Sequence, residues 1–535
     1  MYFDSLKYAY PSRRSVIYAR HGMVCTSQPL AAQAGLDMLK LGGNAVDAAI
    51  ATAACMTVLE PTSNGIGGDA FALVWIKDRL HGLNASGRAP AGISAELVRG
   101  LGHTSMPRRG WIPVMVPGAP AAWARLAKAF GTLPLTTLLA PAIRYAKEGY
   151  PVSPVTSRLW ALAYEEFSAR GDDPCFRPWL DTFAPNGRAP RAGELWRSPD
   201  HADTLQAIAD TDAEDFYRGA LAERIDAFSR QTGGYIRKDD LAAYYCEEVT
   251  PIHTGYRGYD VWEIPPNGNG IIALMALSLL DGFSFTHREC ADTIHKQIEA
   301  MKLAFADGNR YVADPAHMRV TPAELLSPHY AAQRRALITD RAALPSAGDP
   351  SCGGTIYLCT ADGAGNMVSY IQSNYQGFGS GIVIPGTGIA LQNRGANFSL
   401  DEASENCLAP GKKAYHTIIP AFLTKNGKAV GPFGVMGAFM QPQGHVQVVT
   451  NTIDFHMNPQ EALDAPRWQW IRGREIQLEQ GFSPAIAQEL VRRGHSVSIL
   501  PESLTFGRGQ IIWRDENGVL CGATEPRADG CVAAW

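Results

Sequence analysis

No CxxC pair occurs among the ten cysteines, which are scattered from Cys25 to Cys531. Such usage fits buried thiols in a reducing compartment better than a disulfide framework. No apolar run reaches about eighteen residues, so nothing in the sequence reads as a membrane span. Basic residues are not in excess: 48 Lys and Arg stand against 52 Asp and Glu, for a net charge of −4. That balance supplies no general attraction to nucleic acid or anionic membranes. The opening stretch, MYFDSLKYAYPSRRSVIYARHG, lacks the basic-then-apolar order of a signal peptide, and a cytoplasmic location is expected. HExxH and GxSxG are absent, the thirteen histidines show no metal spacing, and neither a Walker loop nor a strand-borne GxGxxG occurs. GNGIIALMALSLL and GGNAVDAAIA, though glycine-rich, read as helix caps and packing contacts. No cofactor and no metal are expected. There is no fixed-period repeat and no low-complexity linker.

What is present is enough apolar material for a large core: 46% of 535 residues are hydrophobic. That length suggests about two to four domains. Helix signals dominate the first two thirds. In SQPLAAQAGLDMLKLGGNAVDAAIATAACMTVLEP one helix stops at Gly42-Gly43, and a second starts after Asn44 and ends before Pro61. The second is apolar nearly all round and should be buried. GAPAAWARLAKAFG, PLTTLLAPAIRYAKEG, TDAEDFYRGALAERIDAFSRQTGG and IHKQIEAMKLAFADGNRY read as further helices, and YDVWEIPP as a short strand. After Gly354 the pattern changes to hairpins: Thr355–Thr360 with Met367–Ile371, AFLTKNGKAVGPFG, and QIIWRDENGVLCGATEP. Two short helices, PQEALDAP and PAIAQELVRRG, fall between them. An α-rich segment thus feeds an α/β segment, and mixed layers with helices outside a sheet stack are expected.

The junction between these parts is Gly353-Gly354-Thr355. A glycine pair before a strand is usually only a strand start. It also permits the strained backbone needed for a hydroxyl to attack the carbonyl before it. If Thr355 Oγ1 attacks the Gly354 carbonyl and the ester hydrolyses, Thr355 gains a free α-amine with an ordinary pKa near ~8. Such an amine can serve as base for its own side chain, giving a self-activated nucleophile.

GGTIYLCTADGAGNMVSYIQSNYQGFGSGIVIPGTGIALQNRGANFS resembles the nucleophile segment of the γ-glutamyltransferase family of self-processing N-terminal-nucleophile hydrolases. GGNAVDAAIATAACMTVLEPTSNGIGGDAF, VPGAPAAWARL, EAMKLAFADGNRYVADP, GAFMQPQGH, NTIDFHMNPQEALDAPRWQ and GATEPRADG match the family in the same order, from about Gly22 to Ala533. The resemblance implies an α/β (α+β) fold, the four-layer αββα sandwich. It implies cleavage between Gly354 and Thr355 into a large, α-rich subunit, residues 1–354, and a small subunit, residues 355–535. These would stay together as a heterodimer, which could pair again into a dimer of heterodimers. Carried over residue by residue, Thr355 is both self-cleavage residue and nucleophile. Ser373 is the hydroxyl that supports the new N-terminus. Gly437 and Ala438 supply backbone N–H groups to the oxyanion, where the reading without the family is a tight turn after a strand. Asp69, in GIGGDAF, lies in a glycine loop that the family uses near its site. Its ordinary reading is a helix cap, and no catalytic role is assigned to it.

The substrate side departs from the family. Where the family holds an α-ammonium with an aspartate before an FS dipeptide, this chain has Asn397, which carries no charge. A family asparagine becomes Tyr375, and a serine pair becomes His416-Thr417. The family's carboxylate-binding arginine has its nearest counterpart in Arg88, displaced by two positions; Arg394 is a second cation beside the site, suited to bidentate carboxylate binding. For each arginine the ordinary reading is a structural ion pair, and Lys412 and Lys413 are read as solvated. Together these changes favour a small-molecule amide bearing a carboxylate but no essential α-ammonium, such as oxamate or a glutaryl amide. The pattern resembles the branch of the family that includes oxamate amidohydrolase. Glutathione hydrolysis or γ-glutamyl transfer, and an uncleaved relative that only binds small acids, are the other readings.

Overall fold

The computed structural model describes residues 9–12, 14–345 and 354–535. Two seven-stranded antiparallel sheets lie face to face. In the first the order is Ile17–Ala19, Leu520–Thr524, Arg508–Arg514, Lys428–Met436, Ala421–Lys425, Tyr259–Glu263 and Ile252–Tyr256. In the second it is Cys531–Ala534, Gly22–Thr26, Gly354–Asp362, Met367–Tyr375, Asp69–Ile76, Arg79–Ala85 and Glu247–Val249.

Alternation along the central strands builds the layers. In Gly354–Asp362, Tyr357, Cys359 and Ala361 face the inter-sheet core with Phe71, Leu73, Phe422 and Ile512. Ile356 and Leu358 face the other way, into a helical layer containing Ala45–Leu59 and Ala119–Phe130. This two-residue period is what a strand covered on both faces requires. Gly270–Leu280, Ala291–Tyr311 and Met440–Ile453 cover the first sheet's outer face. The result is the expected αββα stack.

Helix Ala45–Leu59 is buried at every position. Asn44 starts it by accepting the N–H groups of Val46 and Asp47, while Asp47 accepts the N–H of Asn44. The stretch read as one helix around Arg218 is two, Glu214–Arg218 and Ala220–Gln231. Gly219 is extended between them, and Asp215 caps the second through the Ala220 N–H at 2.8 Å. The first two thirds also hold strands that the sequence reading passed over: Gly22–Thr26, Asp69–Ile76 and Arg79–Ala85. No helix among the described residues is long and apolar enough to cross a membrane. The nine described cysteines are free thiols, four of them buried.

Both sheets draw strands from either side of Gly354. In the second, Gly354–Asp362 lies between Gly22–Thr26 and Met367–Tyr375, which itself pairs with Asp69–Ile76. A break at residue 354 would therefore leave two chains sharing one hydrophobic core.

Candidate active site

Asp362 closes the hairpin that carries Thr355, accepting the N–H groups of Ala364 at 2.9 Å and Asn366 at 3.0 Å. At the other end the register slips: Gly354 pairs with Tyr375, but Ile356 pairs with Gln372. Thr355 occupies this bulge, the kind of irregularity that re-aims a side chain. It is fully buried, with Oγ1 3.1 Å from Ser373 Oγ. The Ser373 hydroxyl also accepts the Tyr375 N–H at 2.7 Å. Tyr375 has φ +76°, a left-handed conformation that costs a non-glycine residue energy and is held by its surroundings.

Strand Lys428–Met436 runs into the turn at Gly437 and Ala438, with φ +138° and +52°. Their carbonyls accept the N–H groups of Met440 and Gln441 and so start helix Met440–Ile453. Among the described residues no acceptor engages the N–H groups of Gly437 or Ala438. They lie at the N-terminal, positive end of a fourteen-residue helix, where backbone amides favour negative charge.

Asp69 begins its strand beside Ser373 in register. The approach requires glycine: a Cβ on Gly68 would lie 2.6 Å from the Ser373 carbonyl oxygen, and one on Gly67 would lie 2.4 Å from that of Ala390. The Asp69 carboxylate is wholly buried and accepts from His416 Nε2 at 2.9 Å, Gly87 N–H at 3.2 Å and Arg394 Nε at 3.4 Å. Asp69 is thus the hub of the site rather than a helix cap. Nothing in the sequence marks it as the counter-ion of Arg394, because the two meet only through the fold.

Arg394 is 1% exposed. Its Nη1 donates to Thr417 Oγ1 at 2.7 Å, its plane covers the Tyr375 ring at 4.5 Å, and its Nη2 has no partner among the described residues. Burial pulls its pKa down from the ordinary value and Asp69 opposes this. A buried guanidinium nitrogen without a partner is an unmet hydrogen-bond donor inside the site.

Thr355, Ser373, Tyr375, Arg394, His416 and Thr417 therefore form one connected group. Asn397 sits at its edge, half-buried, with Nδ2 donating to the Tyr415 carbonyl at 3.1 Å. Arg88 turns away: its guanidinium binds Glu247 at 2.7 Å and the Gly411 carbonyl at 3.1 Å. Lys412 and Lys413, expected in solvent, are buried. Lys412 donates to the carbonyls of Glu405 and Cys407, and Lys413 pairs with Glu247. The sequence reading also missed Gln441, which accepts the Ile419 N–H at 3.1 Å, and Asn269, whose N–H donates to the His416 carbonyl at 2.8 Å.

His416 Nδ1 accepts the Ile418 N–H at 3.3 Å, so its proton is on Nε2, facing Asp69. Burial, aided by the charge of Arg394, lowers its pKa from 6.5 to about 4. The unfolded chain takes up a proton near pH 6.5 that the folded site refuses. Stability from this histidine is therefore full above pH 6.5 and falls as pH drops toward 4, by up to about 3 kcal/mol. Urea midpoints should fall between pH 7 and 4.5, and less so in His416→Asn; equal falls in both would contradict a neutral buried imidazole. A buried histidine pair lies apart from the site. His495 Nε2 meets His295 Nδ1 at 2.8 Å, and His295 Nε2 meets the Thr339 carbonyl at 2.8 Å. Lys302 bonds Glu299 beside them at 2.6 Å.

The stacked sheets and their two helical layers define an N-terminal-nucleophile hydrolase, here an amidohydrolase. The chain belongs to the γ-glutamyltranspeptidase family, whose model, Gamma-glutamyltranspeptidase, matches residues 31–535. Among curated relatives it is 36% identical to the glutathione hydrolase-like YwrD proenzyme of Bacillus subtilis, covering 97% of this chain and 99% of that one. It is 35% identical to the oxamate amidohydrolase proenzyme of Klebsiella pneumoniae, covering 96% and 98%. Among solved structures it is similar to the cephalosporin acylase from Bacillus halodurans, at 62% identity and TM-score 0.96, covering 100% of this chain and 99% of that one.

Proposed function

We propose that the chain cleaves itself between Gly354 and Thr355 and then hydrolyses amides whose acyl half carries a carboxylate. In processing, Thr355 Oγ1 attacks the Gly354 carbonyl, the peptide bond shifts to an ester, and water releases the Gly354 carboxylate and the Thr355 amine. The products are residues 1–354 and 355–535. In turnover, the new amine takes the Oγ1 proton as the oxygen attacks the substrate carbonyl. The N–H groups of Gly437 and Ala438 hold the oxyanion, the leaving amine departs with the proton, and water frees the acid from the acyl-enzyme.

The observation that carries the substrate class is Arg394, a buried cation beside Tyr375 whose Nη2 has no partner among the described residues. Asn397 is neutral, and the donors around Asp69 already engage its charge. A substrate ammonium would thus enter a site with a cation and no free anion, at a cost of about 1–3 kcal/mol. Oxamate, the substrate in the name of one relative, is a carboxylate-bearing amide without an α-ammonium and agrees with this reading. On this reading Tyr375, His416 and Thr417 position Arg394, Ser373 orients Thr355, and Arg88 acts outside the acyl site.

Glutaryl-4-nitroanilide and γ-glutamyl-4-nitroanilide differ only in the α-ammonium. Release of 4-nitroaniline should favour the glutaryl compound at least tenfold in kcat/KM, with ammonia release from oxamate as a companion assay. A tenfold preference for the γ-glutamyl compound would assign the chain to glutathione-type chemistry.

A further inference from the structure

Strands Ala421–Lys425 and Lys428–Met436 diverge at the site. Their pairing ends at Ala421 opposite Phe433, whereas the second strand stays paired on its other edge as far as Met436 opposite Arg508. Beyond this fork one arm leads back through Ile419 to Thr417 and His416, and the other leads to the Gly437-Ala438 turn.

Two buried side chains, one turn apart on helix Met440–Ile453, take the backbone N–H groups that the fork leaves without a ladder. Gln441 Oε1 accepts the Ile419 N–H at 3.1 Å, and His445 Nε2 accepts the Val435 N–H at 3.1 Å. Because Nε2 accepts, the imidazole proton is on Nδ1, which donates to Glu263 Oε1 at 2.6 Å. Glu263 is wholly buried and ends its strand opposite Ala421, at the root of the fork. Its carboxylate lies against the first turn of helix Gly270–Leu280, where a Cβ on Gly270 would come 2.8 Å from Oε2. The positive end of that helix favours the carboxylate's charge. The Phe433 ring, centred 5.3 Å from the imidazole, covers it. Tautomer and ring position are thus both fixed, as a support for reacting groups requires.

We infer that His445, oriented by Glu263, is a positioning residue that places the Gly437-Ala438 turn against Thr355, and that Gln441 does the same for the Thr417–Arg394 arm. The inference rests on the proposed hydrolysis only in giving the turn an oxyanion to hold; the support itself is read without turnover.

His445→Leu removes both the acceptor and the donor, and His445→Gln restores them as Oε1 and Nε2. With glutaryl-4-nitroanilide, His445→Leu should lower kcat about 10- to 100-fold, approaching the loss of an oxyanion donor. Inhibition by glutarate should stay within about twofold. His445→Gln should return kcat to within about fivefold of wild type. Glu263→Leu leaves the acceptor but lets the ring turn, and should show a smaller loss of the same kind. Gln441→Leu should do the reverse, weakening glutarate about tenfold with kcat changed less than about threefold. Amide exchange read by mass spectrometry should run at least about fivefold faster across residues 435–438 in His445→Leu than in wild type. Unchanged exchange there, a kcat untouched in both His445→Leu and Glu263→Leu, or equal losses of kcat and glutarate binding would overturn the inference. Faster exchange in the variant of a protein whose wild type cleaves no amide would sink the hydrolase and keep the support.

Discussion

Thr355→Ala is expected to yield one uncut chain of 57.8 kDa with no turnover of any amide. The substitution deletes the attacking oxygen of both reactions at once. Without Oγ1 the Gly354–Thr355 bond persists, the α-nitrogen stays an amide, and neither nucleophile nor base forms. The expected loss is at least about 10⁴-fold, since members of one catalytic unit do not substitute for each other. The fold should survive. Thr355 has hydrogen-bonding company in Ser373 Oγ, which keeps the Tyr375 N–H, so the lost stability is about 1–2 kcal/mol. Serine at 355 retains the oxygen and should restore partial cutting and slow turnover. A cut or active Thr355→Ala protein would show that another group does the work.

Arg394→Lys should lower kcat/KM for a glutaryl amide by about 10²–10³, mostly through KM. The guanidinium meets Asp69, Thr417 and the Tyr375 ring at once, and its buried Nη2 has no partner among the described residues. A lysine ammonium is a point charge and cannot span Asp69 and Thr417 while still reaching a carboxylate. Losing one partner of a buried, hydrogen-bonded charge pair costs about 2–5 kcal/mol, which sets the size of the effect. Thermal unfolding of the variant distinguishes lost binding from lost fold. An unchanged kcat/KM would move the carboxylate elsewhere, with Arg88 the next cation to examine.

The contrast between these two arginines shows how much of the site could be read in advance. Thr355, Ser373 and the Gly437-Ala438 turn were named through the family resemblance, since a glycine pair before a strand and a small-residue turn before a helix are ordinary local patterns; the structure sets the Thr355 and Ser373 hydroxyls 3.1 Å apart. The Arg394–Asp69 pair spans 325 positions, and no local pattern announces it. Arg88 stood as the nearest counterpart of the family's carboxylate-binding arginine and Arg394 as a second cation; only packing sends Arg88 to Glu247 and Arg394 against the Tyr375 ring. Lys413 misled for the same reason, since its partner Glu247 comes from a distant strand, whereas Lys412 folds back onto the nearby carbonyls of Glu405 and Cys407.

The layers followed a similar rule. Asn44 and the Asn426-Gly427 turn announced a helix start and a hairpin, and both formed where expected. The strand Asp69–Ile76 did not stand out because it is covered on both faces. Its nearly continuous apolar run resembles a buried helix segment as much as a strand. Gly219 broke a helix whose flanking residues all favoured continuation, a boundary set by the Asp215 cap.

The most direct test is the N-terminal sequence and mass of each polypeptide in purified, active protein, before and after brief exposure to a glutaryl amide. Two chains are expected, corresponding to residues 1–354 and 355–535. The second should begin Thr355-Ile356-Tyr357 and gain one glutaryl group during turnover. Full activity residing in a single intact chain, or an acyl group trapped away from the chain that starts at Thr355, would contradict the account.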